Sequence, residues 1–91
     1  SIIYKVTNVS VNDISGIAQY INVYPNPAKD VLYISSPVKV NVSLSTIEGR
    51  SIGYVNQANA IDLQHLPHGI YLLRITDQDG RLIKMEKVLK E

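Results

Sequence analysis

Two histidines are the first side chains whose spacing suggests metal chemistry. His65 and His68 lie three residues apart, and two imidazoles at that spacing could bind one metal ion if they shared a helix face. Pro67 stands between them and indicates a turn, so the two rings are not expected to converge. No third ligand follows nearby in the sequence. The sequence therefore predicts no metal site at this turn.

A pair of acidic residues near the C-terminal end is the second candidate. Asp77 and Asp79 alternate ahead of Gly80, as carboxylates do at the start of a calcium-binding loop. The oxygen ligands that should follow in such a loop are missing, and Arg81 places a positive charge where the cation would lie. We therefore predict that residues 77–80 form the turn of a β-hairpin.

Catalysis needs an arrangement that these residues do not supply. A nucleophile requires a base within hydrogen-bond reach, and that base requires an orienting group. Both histidines fall in one turn, the serines fall on predicted outward faces or turns, and there is no glycine-rich phosphate loop. We expect no enzyme activity, no cofactor and no small-molecule substrate.

Composition narrows the class of protein further. Nine Lys and Arg against eight Asp and Glu leave a net charge of +1, too balanced for the basic surface of a nucleic-acid-binding protein. The 91 residues include no cysteine, so one core must hold the fold without disulfides or thiolate-bound zinc. We expect one folded domain with no nucleic-acid partner.

The elements that would position a site are predicted to be β-strands. Val, Ile, Thr and Tyr account for 31 of the 91 residues, and these residue types are enriched in strands. Residues 38–45 alternate strictly between apolar and polar types. The alternation predicts inward side chains at Val38, Val40, Val42 and Leu44, and exposed side chains at Lys39, Asn41, Ser43 and Ser45.

Turn signals divide the rest of the chain into further short strands. We predict strands over residues 20–24, 31–35, 50–55, 60–63 and 70–76. Prolines or glycines separate most of them, because proline cannot donate to a sheet ladder and glycine adopts positive φ freely. Tyr33 and Tyr71 have apolar strand neighbours and are predicted to be core residues. Six or seven short strands in this pattern indicate an all-β sandwich or barrel.

The C-terminal segment, residues 81–91, fits a helix or a strand. We predict a strand over residues 83–88, because a strand that ends in an Asp-Gly turn needs a return partner. Strand alternation would place Ile83, Met85 and Leu89 on one face, with Lys87 among them.

The N-terminal segment is less regular. Residues 2–7 could form an edge strand, and pairing through that edge could join two copies into a dimer. Residues 8–16 are polar and contain turn-forming residues, so they are predicted to be an irregular connector.

Several blocks, taken in order, resemble one known family. They are Val23-Tyr24-Pro25-Asn26-Pro27, then Asp30-x-Leu32-x-Ile34, then Glu48-Gly49-Arg50, then Leu66-Pro67-His68-Gly69-Ile70-Tyr71, then Gly80 and a tail with several lysines. This set resembles the type A C-terminal sorting domain of the type IX (Por) secretion system, over residues 21–91. The tail departs from the family pattern by ending in the acidic Glu91.

The resemblance implies a fold and a function. The fold would be an immunoglobulin-like antiparallel β-sandwich of about seven short strands. The domain, residues 20–91, would direct a larger cargo protein of a Bacteroidetes bacterium from the periplasm through the outer-membrane translocon to the cell surface or the medium. A surface sortase would remove it within residues 10–19, often joining the cargo to lipopolysaccharide. Residues 1–19 would be a linker or the end of the preceding cargo domain.

The resemblance also implies which residues carry the sorting signal. The positions that match the family's blocks are Tyr24, Pro25, Asn26, Pro27, Gly49, Leu66, Gly69, Tyr71, Gly80, Lys84, Lys87 and Lys90. We expect the translocon to add a strand at the edge of the last hairpin, where backbone groups would be unpaired.

Two other functions fit a small β-sandwich. An accessory carbohydrate-binding or adhesion module would show a cluster of exposed aromatic side chains and measurable affinity for a glycan. A structural spacer would lie between other domains of its parent protein.

Overall fold

The computed structural model describes residues 14–91, and this part of the chain forms one short helix and seven strands. The helix α1 spans Ile14–Ala18. The strands are β1 (Asn22–Tyr24), β2 (Val31–Ser35), β3 (Asn41–Thr46), β4 (Ser51–Val55), β5 (Ala60–Asp62), β6 (Gly69–Thr76) and β7 (Leu82–Lys90).

The strands form two antiparallel sheets. One sheet has the order β1-β2-β5, and the other has the order β4-β3-β6-β7. Side chains from both sheets meet in one core, whose least exposed large members are Ile21, Leu32, Val40, Val42, Leu63, Leu73, Ile75 and Val88. The predicted all-β sandwich is therefore confirmed.

Strand β3 follows the predicted alternation except at its beginning. Val40, just before the strand, is buried with Val42 and Leu44, whereas Val38 is exposed. The prediction that Asn41 would be exposed is wrong. Its side-chain Oδ1 accepts hydrogen bonds from the backbone N–H of Gln57 at 2.9 Å and from Nε2 of Gln78 at 3.1 Å. Those two partners satisfy the buried amide oxygen.

The predicted hairpin turn at residues 77–80 is present. In the turn between β6 and β7, the N–H of Asp77 donates to the carbonyl of Arg81 at 2.9 Å, and the N–H of Gly80 donates to the carbonyl of Asp77 at 3.1 Å. Gly80 has a φ of 90°, and Gly49 in the turn between β3 and β4 has a φ of 99°. Both glycines therefore occupy backbone conformations that other residues rarely adopt.

The C-terminal segment is a strand, as predicted, but its faces are not those that its apolar residues suggest. Pairing with β6 directs Lys84, Glu86, Val88 and Lys90 towards the other sheet, whereas Met85, Lys87 and Leu89 face outwards. Ile83 lies at a register irregularity and packs against the core, so it does not share a face with Met85 and Leu89. The predicted grouping is therefore correct for Met85 and Leu89, with Lys87 between them, and wrong for Ile83, because the register with β6 sets the faces of β7.

Tyr71 is buried as predicted, but Tyr33 is not. The alternation of β2 buries Leu32 and Ile34, which turns Tyr33 outwards and leaves it 45% exposed. Its ring stacks on that of Tyr24, the residue opposite it on β1, with centroids 5.7 Å apart. Tyr33 is therefore half of an exposed aromatic pair on the outer surface of the three-stranded sheet.

The N-terminal predictions are tested only at their end. The predicted strand over residues 2–7, and most of the connector over residues 8–16, lie outside the described residues. Residues 14–16 belong to α1, so this part of the connector is helical instead of irregular. Ile17 of this helix packs against the core and supplies an apolar anchor for it.

Candidate functional site

A turn with two prolines connects β1 to β2 and holds the end of β7. The peptide bonds Tyr24–Pro25 and Asn26–Pro27 are both cis. Nδ2 of Asn26 donates to the carbonyl of Lys87 at 2.9 Å, and Oδ1 of Asn26 accepts from the N–H of Leu89 at 3.0 Å. The amide of one side chain thus replaces the donor and the acceptor of a neighbouring strand.

The backbone beyond Pro27 continues this pairing. The N–H of Ala28 donates to the carbonyl of Leu89 at 2.8 Å, and the carbonyl of Ala28 accepts from the N–H of Glu91 at 2.8 Å. Ala28 and Lys90 form a parallel bridge. We call the contacts of Asn26 and Ala28 with residues 87–91 the terminal clamp.

The terminal clamp changes the expectation for the last hairpin. The outward-pointing backbone groups of Lys87, Leu89 and Glu91 are already hydrogen-bonded to Asn26 and Ala28. A receptor strand cannot add at this edge unless the clamp opens. The predicted addition of a strand at this end of the last hairpin is therefore not available in the folded domain.

The turn that leads into β6 is held by Tyr71. Its hydroxyl donates to the carbonyl of Pro67, four residues earlier, at 2.7 Å, and the residue is 6% exposed. This contact is a tyrosine corner, which recurs in Greek-key β-sandwiches. Leu66, in the same turn, is half-buried and packs against the core, and Gly69 is the first residue of β6. The matched positions of this block therefore serve to build the corner.

The three lysines of the tail have different surroundings. Nζ of Lys84 donates to the carbonyl of Ile21 at 2.9 Å and lies 3.4 Å from Glu86. Lys90 is 7% exposed, and its Nζ donates to the carbonyl of Glu91 at 3.0 Å. Lys87 is the exposed one of the three. Lys84 and Lys90 therefore lie on the inner side of β7, and Lys87 lies on its exposed side.

The acidic pair is explained by hairpin geometry. The carboxylate of Asp77 accepts hydrogen bonds from the backbone N–H groups of Arg81 and Asp79, each at 2.9 Å, and Nε of Arg81 lies 3.2 Å away. The backbone bond from Arg81 is the main reason that the pKa of Asp77 lies below its ordinary value, with smaller contributions from the Asp79 N–H and the guanidinium charge.

The histidines lie apart from any cluster of ligands. His65 and His68 are both exposed at the turn before β6. Within residues 14–91, no group of three or more His, Asp or Glu side chains could hold a metal ion.

One further sequence pattern associated with catalysis lies at the start of β4. Residues 49–53 spell Gly-x-Ser-x-Gly, the pattern of a hydrolase nucleophile elbow. Such an elbow requires a strand followed by a sharp turn and a helix. Here the serine, Ser51, begins β4 directly after a hairpin turn, and its strand pairs with β3. The pattern therefore occurs without the geometry that gives it its chemistry.

None of the helices in the described region is long and apolar enough to cross a membrane.

The fold and the terminal clamp define a small β-sandwich module whose first turn and last strand form one structural unit. A family model, described as the secretion system C-terminal sorting domain, matches residues 22–91. Comparison with curated proteins and with solved structures found no match.

The chain belongs to the secretion system C-terminal sorting domain family. It is a C-terminal sorting signal for type IX secretion, and it interacts with the type IX secretion machinery. The parent protein is secreted to the cell surface or to the outside.

Proposed function

We propose that residues 20–91 direct a larger cargo through the outer-membrane translocon after transit through the periplasm. Residues 1–19 are then a linker or the end of the preceding cargo domain. A surface sortase removes the sorting domain by cutting within residues 10–19, and the cargo can then be joined to lipopolysaccharide. The domain itself acts as a sorting signal and catalyses no reaction.

The terminal clamp is the observation that carries this proposal. It joins Asn26 to Lys87 and Leu89, which are 61 and 63 residues away in the sequence. Because both blocks belong to the family's pattern, the folded domain presents them to a receptor as one surface. In an unfolded chain these residues are not held next to one another. A receptor that recognises the terminal clamp would therefore select folded sorting domains.

The proposal is tested with the full 91-residue chain fused behind a periplasm-directed reporter in a host with type IX secretion. We expect the reporter to become accessible to added protease on intact cells. We expect the mass of the mature reporter to show that residues 20–91 have been removed. A reporter that stays in the periplasm would contradict the sorting function. Surface reporter that retains the strands would contradict removal by a sortase.

A matched pair of variants separates recognition from simple loss of folding. Deleting residues 84–91 removes Val88, which is fully buried, so a loss of export could reflect unfolding. Asn26→Asp keeps the shape of the side chain but replaces the donor that bonds the carbonyl of Lys87. The control is Asn22→Asp at an exposed position of β1. Export should fall for the first variant and stay unchanged for the second.

A second candidate function is supported by the pair formed by Tyr24 and Tyr33. These residues are 50% and 45% exposed, and their rings stack on the outer surface of the three-stranded sheet. Exposed aromatic rings can stack on the apolar face of a sugar. If the domain binds glycans, the purified polysaccharide part of lipopolysaccharide should bind it and produce heat in a calorimetric titration. Tyr33→Ala should then abolish the heat, whereas Tyr54→Ala, on the other sheet, should not.

A further inference from the structure

The outward side chains of β6 and β7 form an exposed surface with unusual composition. We call it the hairpin face, and it comprises Ile70, Leu72, Arg74, Met85, Lys87 and Leu89. Ile70, Met85 and Leu89 are 44%, 47% and 41% exposed, and Ile70 lies directly opposite Leu89. The apolar side chains are thus presented together.

The inner side of β7 carries charged side chains. Lys84, Glu86 and Lys90 point towards the three-stranded sheet, although core-facing strand positions are ordinarily apolar. The three residues are partly or fully shielded from water, and the ammonium groups of Lys84 and Lys90 donate hydrogen bonds to backbone carbonyls. Strand β7 therefore exposes Met85 and Leu89 while it shields charged residues.

The hairpin face also carries a net positive charge. Arg74 lies opposite Met85, and Lys87 lies opposite Leu72, so cations alternate with apolar side chains across the two strands. Within residues 14–91, neither Arg74 nor Lys87 forms a salt bridge. The described strand positions on this side of the four-stranded sheet include no Asp or Glu. Both charges are therefore available to a partner.

We propose that the hairpin face docks onto a protein surface that presents carboxylates around an apolar patch. Burial of the three exposed apolar side chains would supply affinity, and the two cations would fix orientation through carboxylates of the partner. This inference rests on the proposed function in one respect, namely that the partner belongs to the type IX secretion machinery. The terminal clamp occupies the edge of β7 near its end, so contact through the face leaves the clamp intact.

Two other occupants are less compatible with the charges. A symmetric pair of copies would bring the same patch against itself, with Arg74 and Lys87 facing like charges. An anionic membrane is usually recognised by clusters of roughly 4–8 Lys and Arg, whereas this face carries Arg74 and Lys87 only. An acidic and apolar protein surface matches both features of the hairpin face.

The test measures binding of the full chain to the purified, detergent-solubilised type IX outer-membrane complex, immobilised on a sensor. The first variant is Arg74→Glu with Lys87→Glu, and its matched control is Arg50→Glu with Lys39→Glu, which alters one exposed Arg and one exposed Lys elsewhere. We expect about tenfold weaker binding for the first and a change of less than about twofold for the control. Binding of the unmodified chain should weaken as salt increases.

A second variant tests the apolar part independently. Ile70→Thr with Leu89→Thr keeps residues that favour strands, and Val38→Thr with Ile47→Thr changes two exposed apolar residues outside the face. Circular dichroism first establishes that each variant folds. We expect about tenfold weaker binding for the first pair only. If this pair fails to fold, the charge-reversal pair, which alters exposed side chains only, still decides the question.

The possible outcomes distinguish this inference from the proposed function. If the unmodified chain is exported and binds, but both hairpin-face variants bind equally well, the inference is wrong and the proposed function stands. If the unmodified chain neither binds nor supports export, both fail. Two results would show that the hairpin face binds something other than the proposed protein partner. One is binding to phosphatidylglycerol vesicles that the charge reversal abolishes, and the other is a dimer in sedimentation that Leu89→Thr abolishes.

Discussion

Replacing Asn26 with alanine should loosen the end of β7 without disturbing the core. The substitution removes two hydrogen bonds, to the carbonyl of Lys87 and from the N–H of Leu89. A protein hydrogen bond contributes about 1 kcal/mol net, and both bonds lie at exposed positions. We therefore expect the free energy of unfolding to fall by about 1–2 kcal/mol. For a domain of this size, that change lowers Tm by roughly 4–16 °C.

The assay combines thermal unfolding with amide hydrogen exchange. The amide of Leu89 should lose more protection than the amides of β6, because its acceptor, Oδ1 of Asn26, is gone. The control Asn22→Ala alters an exposed asparagine on β1, for which we expect almost no change in Tm. The reasoning is refuted if Asn26→Ala keeps both its Tm and the protection of Leu89, since the clamp would then contribute nothing.

Two further predictions concern the corner and the last hairpin. Tyr71→Phe removes the hydroxyl that donates to the carbonyl of Pro67, so the free energy of unfolding in urea should fall by about 1–2 kcal/mol. The control Tyr54→Phe, at an exposed position, should leave the free energy of unfolding unchanged. Equal values for the two variants would contradict the role of the Tyr71 hydroxyl. The pKa of Asp77 lies below its ordinary value, mainly because of the hydrogen bond from the Arg81 backbone, so its contribution to stability is complete above that ordinary value and is lost as the pH falls through the lower pKa of the folded state. Asp77→Asn should therefore lose less stability than the unmodified chain between pH 5 and acid pH below about 3; identical losses in urea titrations at both pH values would show that another carboxyl group is responsible.

Much of the sandwich could be predicted because its signals are local. Strand β2 has the predicted bounds, and the hairpin turn at Asp77 forms as predicted. Alternation over residues 38–45 identified Val40, Val42 and Leu44 as buried. These features depend on residues close in sequence, through the two-residue period of a strand and the φ preferences of turn residues.

The candidate site was predicted as a set of residues but not as an arrangement. The family blocks include Asn26 and Lys87, yet nothing in their spacing indicates that the amide of one bonds the backbone of the other. Tyr33 illustrates the same limit. Its apolar neighbours predicted burial, but Leu32 and Ile34 face the core, so the alternation of β2 turns Tyr33 outwards. In each case the result depends on the register between strands, which a single sequence does not display.

Sequence alone determined that this chain is a cysteine-free, all-β domain with short strands and glycine turns, and its ordered blocks indicated the sorting family. Tertiary structure alone decided which face of β7 meets the core and that Asn26 and Ala28 close the strand's outer edge. The physical reason is that the apolar pattern of β7 conflicts with its pairing. The fixed register with buried Tyr71, Leu73 and Ile75 prevails, and it leaves Met85 and Leu89 exposed.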